Sequence, residues 1–200
     1  MIRTLLFVAV TAFAVSQAAA SPEVGKPAPA FSILDSNGIK RSLSDYKGKI
    51  VVLEWTNDGC PYVKKHYGSG NMQTVQKDMT ATGAIWLSII SSAPGKQGHV
   101  NGAAANQLTT SRNAHPSAVL LDPEGTIGKR YEAQTTPHMF VIDAKGILRY
   151  MGAIDDQPTT DASTMASARN YVREAIEAIS KGQSPQVTAS DPYGCSVKYP

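Results

Sequence analysis

Cysteine is scarce in this 200-residue chain: Cys60 and Cys195 are all it has. Two cysteines cannot build a disulfide scaffold, so an apolar core must hold the fold. Metal-ligand patterns are missing too. There is no cysteine cluster and no HExxH, and the histidines are scattered at His66, His99, His115 and His138. That argues against a structural zinc site and gives no reason to expect a metal or cofactor. Charge of one sign is also lacking. Net charge is +3 with no basic stripe, so neither nucleic acid nor an anionic membrane is implied as a partner. Internal repeats, low-complexity tracts and a linker dividing residues 21–200 are absent as well.

The chain also lacks an apolar run long enough to span a bilayer. The apolar stretch Leu5–Val15 follows Arg3 and precedes Ala18-Ala19-Ala20, which is the pattern of a secretory signal peptide over residues 1–20. An N-terminal anchor helix is the other reading. Cleavage would start the mature chain at Ser21, leave 18 basic against 16 acidic residues once Arg3 is gone, and place a non-inserted protein in the periplasm or outside the cell.

What is present alternates strand and helix. Pro27, Pro29 and FSILDSNGIKRSL predict two short strands around a turn at Asn37-Gly38. Ile50–Leu53 and Ala84–Ile90 are compact, buried strands of a parallel sheet. A helix follows from Pro61 to about Tyr67, is interrupted by Gly68-Ser69-Gly70, and resumes with Met72, Val75 and Met79 on one face. Residues 99–113 are expected to be helical. Ala118–Leu121 is a strand closed by the turn Asp122–Gly125. Met139–Ile142 and Ile147–Tyr150 form a hairpin around Asp143–Gly146. Asp161 is expected to cap a helix carrying Met165, Ala168, Val172, Ala175, Ile176 and Ile179, ended by Lys181-Gly182. The order predicts an α/β sheet with helices on both faces.

Cys60 sits in EWTNDGCPYVKKHY, where a strand gives way to a helix. Proline is favoured at the first helical position because its missing N–H has no partner there, so Pro61 makes Cys60 the N-cap. The N–H groups of Tyr62 and Val63, the helix dipole and Lys64 should then favour the thiolate. The plainer reading is a small buried hydrophobe at a strand end, with Lys64 and Lys65 facing solvent.

The segment VGKPAPAFSILDSNGIKRSLSDYKGKIVVLEW, the CPYV after it and TTPHMFVIDAKGILRYMG resemble the thioredoxin-like superfamily. The branch is that of the redoxins, the peroxiredoxin-like or thiol-specific antioxidant group. The likeness covers nearly all of residues 24–181. It implies a central mixed sheet flanked by helices, with an N-terminal strand extension and one helix–strand insertion before the cis-proline strand. It also implies that Cys60 is the attacking sulfur and that Pro137, after Thr136, is the family's cis-proline. Thr136 and Pro137, with Pro61 and Tyr62, are then the candidate substrate-binding residues. Glu54, six residues before Cys60, falls where thioredoxins bury an acid. A carboxyl there should titrate high and exchange protons with a sulfur leaving group, unless it is salt-bridged or turned to an edge.

The sequence departs from both relatives. Val63 stands where CxxC would have its second cysteine, so no local dithiol exists. Asn57 and Leu53 occupy the positions of the peroxiredoxin threonine and proline, and Pro137 that of its peroxide-polarising arginine. Asn57 could instead orient the sulfur, or a bound oxygen, through its amide.

Cys195, in the Pro- and Gly-containing DPYGCSVKY, resembles a Gly-Cys-Ser segment found near the end of some peroxiredoxin-like proteins. It could fold back to resolve an oxidised Cys60, form a permanent staple with it, or pair with another molecule. His138 should point away from the Pro137 side, and a single Cys–His pair with His66 is a poor copper site. Arg130 and Arg149 read as surface charges. The expected partners are a hydroperoxide or protein disulfide and an unidentified thiol reductant; nothing fixes the oligomeric state. The competing account is a thioredoxin-fold binding module with a closed Cys60–Cys195 disulfide.

Overall fold

The computed structural model describes residues 21–200, so the signal-peptide expectation lies outside the described residues. Five strands make the central sheet in the order β5-β4-β3-β7-β8: β3 is Val51–Trp55, β4 Ile85–Ile90, β5 Ala118–Leu121, β7 His138–Ile142 and β8 Leu148–Gly152. β3, β4 and β5 run parallel, while β7 pairs antiparallel with β3 and β8. A hairpin of β1 (Ser32–Leu34) and β2 (Lys40–Ser42) precedes it. β6 (Thr135–Thr136) and β9 (Cys195–Ser196) form a separate antiparallel pair.

Alternation along β3 sorts its side chains. Val51, Leu53 and Trp55 join a core with Phe31, Ile127, Tyr131 and Phe140, under the helix α4 (Thr126–Arg130). Val52 faces the opposite core, built with α1 (Pro61–Gly68), α2 (Asn71–Ala81) and α5 (Tyr171–Ser180). The helix α3 (Gly102–Ser111) packs by Ala105 against β5 and β4. This is a thioredoxin-like fold with a central mixed sheet flanked by helices.

Several local expectations need correction. The helix foreseen from Asp161 does not run through Ile179. Asp161 caps only a 3-10 turn, Ala162–Ala166, and a second cap starts α5: the Asn170 side chain accepts from the Arg173 N–H at 2.9 Å. Met165 and Ala168 therefore lie outside the helical face. The intervening residues are polar or small and bury too little to carry a helix, whereas Val172, Ala175 and Ile176 are fully buried. The helix expected over 99–113 is shorter because Asn101 caps it, accepting from Ala104 N–H. α4, β6 and β9 were not foreseen. Five- and two-residue elements carry too few residues for a periodic signal.

Candidate active site

β3 delivers the chain to the sheet's C-terminal edge, where residues 57–60 turn tightly. The Asn57 side-chain oxygen accepts from Gly59 N–H at 2.8 Å, and its backbone carbonyl accepts from Cys60 N–H at 3.0 Å. Its amide donates to the Gln97 carbonyl at 3.2 Å. Asn57 thus braces the turn against the 95–98 loop, and its amide is not spent on the sulfur.

Cys60 is the N-cap of α1 with extended backbone, Pro61 follows at the first helical position, and Lys64 N–H returns to the Cys60 carbonyl at 2.9 Å. The sulfur has no exposed surface. Its thiol donates to the Thr136 carbonyl at 3.0 Å, and the peptide bond between Thr136 and Pro137 is cis.

Cys195 completes the group. β9 lies antiparallel to β6 with Thr136 opposite Cys195 and Thr135 opposite Ser196, so the tail occupies the backbone edge just before the cis-proline. Both cysteines are free thiols. Gly194 makes the approach possible: at φ +138° a Cβ there would stand 2.1 Å from the Thr136 carbonyl oxygen. Burial pushes the Cys60 thiol up. The Cys195 thiol outweighs it, together with the N–H of Val63, which points at the sulfur without closing a full cap bond, the Thr136 hydroxyl and the Cys195 N–H. The net direction is below the ordinary thiol value. Cys195 moves the other way, to about 11, through burial, its hydrogen bond to Cys60 and the charge on that sulfur. Lys64, expected to help, is exposed and does not act on the sulfur.

Glu54 is fully buried but does not touch Cys60. Its carboxyl accepts from Tyr67 hydroxyl at 2.8 Å, Gln76 amide at 3.0 Å, Trp86 indole N–H at 2.7 Å and Ser88 hydroxyl at 2.8 Å. It is neither salt-bridged nor at an edge; it ties α1, α2 and β4 together beneath the site.

Tyr62 packs on the ring of Tyr193 at 5.7 Å. His138 turns its ring to Phe140, 4.5 Å away, in the core opposite Cys60, and burial lowers its pKa to about 4. The sequence reading missed Tyr193, Asp155, Lys65 and His66 as a set. Lys65 and His66 are buried on α1, and His66 is lowered to about 3 by burial and by the Lys65 charge. The aromatic residue two places before Cys195 was the available signal. Among the described residues no three His, Cys, Asp or Glu side chains gather as metal ligands, and no helix is long and apolar enough to cross a membrane.

A thioredoxin-like sheet with a cysteine capping the helix after its first central strand, facing a cis-proline, defines the thiol oxidoreductases of redoxin type. The chain belongs to the AhpC/TSA family, which matches residues 24–151. No curated protein matches it in sequence. Among solved structures it is similar to an uncharacterised conserved protein from Geobacillus kaustophilus (TM-score 0.73, 21% identity, 89% of this chain and 93% of that one). A hypothetical protein from Sinorhizobium meliloti 1021 is comparable (0.72, 20%, 89% and 95%). A structure provisionally described as a thiol:disulfide interchange protein DsbE, from Chlorobium tepidum, is less so (0.52, 22%, 65% and 84%).

Proposed function

We propose that residues 1–20 export this chain and that residues 21–200 are one redoxin domain that exchanges disulfides with protein partners, using Cys60 as nucleophile and Cys195 as resolving thiol. The carrying observation is the β6–β9 ladder, which sets Cys195 opposite Thr136, the residue whose carbonyl accepts from the Cys60 thiol. A protein disulfide is favoured over a hydroperoxide for two reasons. The β6 edge accepts an extended chain, as β9 demonstrates, and Asn57 and Pro137 stand where a peroxide would need threonine and arginine.

The Cys60 thiolate attacks one sulfur of a partner disulfide, forming a mixed disulfide and releasing the other sulfur as a thiolate that takes up a proton. Cys195 then loses its proton and attacks Cys60, closing the Cys60–Cys195 bond and releasing the second partner sulfur. The partner is reduced and the pair oxidised; an external dithiol reverses the pair. The electrostatics suit this order. The hydrogen bond to Cys60 and the charge on Cys60, two of the causes that hold Cys195 protonated, vanish once Cys60 enters a mixed disulfide, so Cys195 becomes more acidic when its thiolate is needed.

The test is disulfide exchange with a model protein disulfide, with the adducts mapped by mass spectrometry. Cys60→Ser should abolish exchange, and Cys195→Ser should accumulate the mixed disulfide on Cys60. Cys195→Ala, which removes a donor, should raise the pH at which the Cys60 thiolate absorbs. A wild-type pair with a reduction potential below about −300 mV, resistant to thiols, would instead mark a structural staple and a binding module.

A further inference from the structure

The tail is pinned at several points, and one of them bears directly on the sulfur pair. Tyr193, two residues before Cys195, places its side chain in a polar socket between α1 and the segment after β8. Its hydroxyl donates to Asp155 Oδ1, lies 3.1 Å from His66 Nε2 and is 3.5 Å from Lys65 Nζ. The Lys65 ammonium stands 5.1 Å from the centre of its ring, and Tyr62 packs on the ring from the first turn of α1. All three polar partners are interior: Lys65 is 4% exposed, His66 0% and Asp155 1%.

Each polar group of the socket also has a partner other than Tyr193. His66 Nδ1 is held by Asn71 Nδ2 at 2.9 Å, Lys65 donates to the Gln157 carbonyl at 2.7 Å, and Asp155 Oδ1 also accepts from Gln157 N–H at 2.9 Å. Asp155 Oδ2 has no partner among the described residues. Tyr193 is thus a main donor to a buried carboxylate, and losing that donor is costly where water cannot replace it.

The distances explain what the socket achieves. Cys60 and Lys65 sit five residues apart on one helix, a rise of roughly 7.5 Å along its axis. Tyr193 and Cys195 are two residues apart, a span of at most about 7 Å even if fully extended, and the chain bends at Gly194 between them. A side chain fixed at the Lys65 level therefore sets the next-but-one residue at the level of the helix N-terminus, where Cys60 is. Gly194 between them has φ +138° and passes against the Thr136 carbonyl, so the span has little freedom of its own.

We propose that Tyr193 is the positioning residue that holds Cys195 at Cys60, its hydroxyl locked among Asp155, His66 and Lys65. The inference rests on the reading of the two cysteines as a redox pair. Tyr193 does not touch the reacting partner; it acts by converting a mobile tail thiol into an oriented one, the usual source of high effective molarity.

The experiment measures the effective molarity of the Cys60–Cys195 disulfide in glutathione buffers and the Cys60 thiolate titration by absorbance, on the full chain. Tyr193→Phe keeps the ring and removes the hydroxyl. It should lower the effective molarity by about tenfold or more, the worth of a hydrogen bond to a buried charge, and raise the Cys60 titration midpoint. Tyr199→Phe, which removes the tail's bond to the Ala133 carbonyl at 2.7 Å, should leave both within about twofold. If Tyr193→Phe does not fold, Asp155→Ala should give the same fall. The proposal is overturned if Tyr193→Phe or Asp155→Ala folds and leaves both readings unchanged, or if Tyr199→Phe moves them equally. A wild type that forms no Cys60–Cys195 disulfide overturns it together with the redox reading, whereas normal wild-type chemistry with an indifferent Tyr193→Phe overturns it alone.

Discussion

The buried acid shows how a single residue's position differs from its environment in legibility. Its burial within β3 was implied by the resemblance to thioredoxins, which keep an acid six residues before the attacking cysteine. Its partners were not, because Tyr67, Gln76, Trp86 and Ser88 come from three elements that only the packed fold brings together. Four donors converging on one carboxyl make Glu54 a structural keystone whatever part it takes in proton movement. Glu54→Ala leaves those donors buried without an acceptor, and unfolding by urea should show a loss of about 3–5 kcal/mol. A loss below about 1 kcal/mol would mean that the carboxyl is not held as the structure has it. Asn57 teaches the same lesson from the other side. An amide near a sulfur invites a direct role, yet its three polar contacts all go to backbone, and what it fixes is the turn that aims Cys60.

At the scale of elements, the long β-branched strands and the helix opened by proline were legible because burial and capping leave marks in composition. The two-residue strand β9 left none. Its partner β6 lies some sixty residues upstream, and the pairing is specified by shape rather than by pattern: a glycine where the chains touch, an aromatic two places before the cysteine, and a bond from Val197 N–H to the Gln134 carbonyl at 2.9 Å. Gly194→Ala tests that specification. A methyl group would collide with the Thr136 carbonyl in a backbone conformation that strains L-residues, at a cost of roughly 1–3 kcal/mol. The tail alone should bear it. Hydrogen exchange at Val197 and at Ala93, whose N–H reaches the Lys198 carbonyl at 2.8 Å, should accelerate about tenfold or more while the β3 and β7 amides stay as slow as before. Uniform acceleration, or none, would contradict the pairing.

Across the whole molecule, the two buried histidines make stability depend on pH. His66 and His138 titrate at about 3 and about 4 in the folded chain, because burial disfavours their cations, against about 6.5 when unfolded. Their folded values are depressed, so the unfolded chain binds protons first. Stability is at its full value above about pH 6.5 and is lost as pH falls towards 4, by on the order of 1 kcal/mol per pH unit for each histidine. Asp155, raised by burial, opposes this only in the carboxylate range. Urea midpoints at pH 7 and pH 5 should differ accordingly, and equal midpoints would place both imidazoles in contact with water. Neither dependence was visible in the sequence, where all four histidines looked alike. The covering of Cys60 has a kinetic meaning of its own. A sulfur with no exposed surface cannot be struck by a reagent arriving from solution, however abundant. Crowding in more reagent speeds the encounter only until the local opening that uncovers the sulfur becomes the slow event, and from there on the chain itself keeps time.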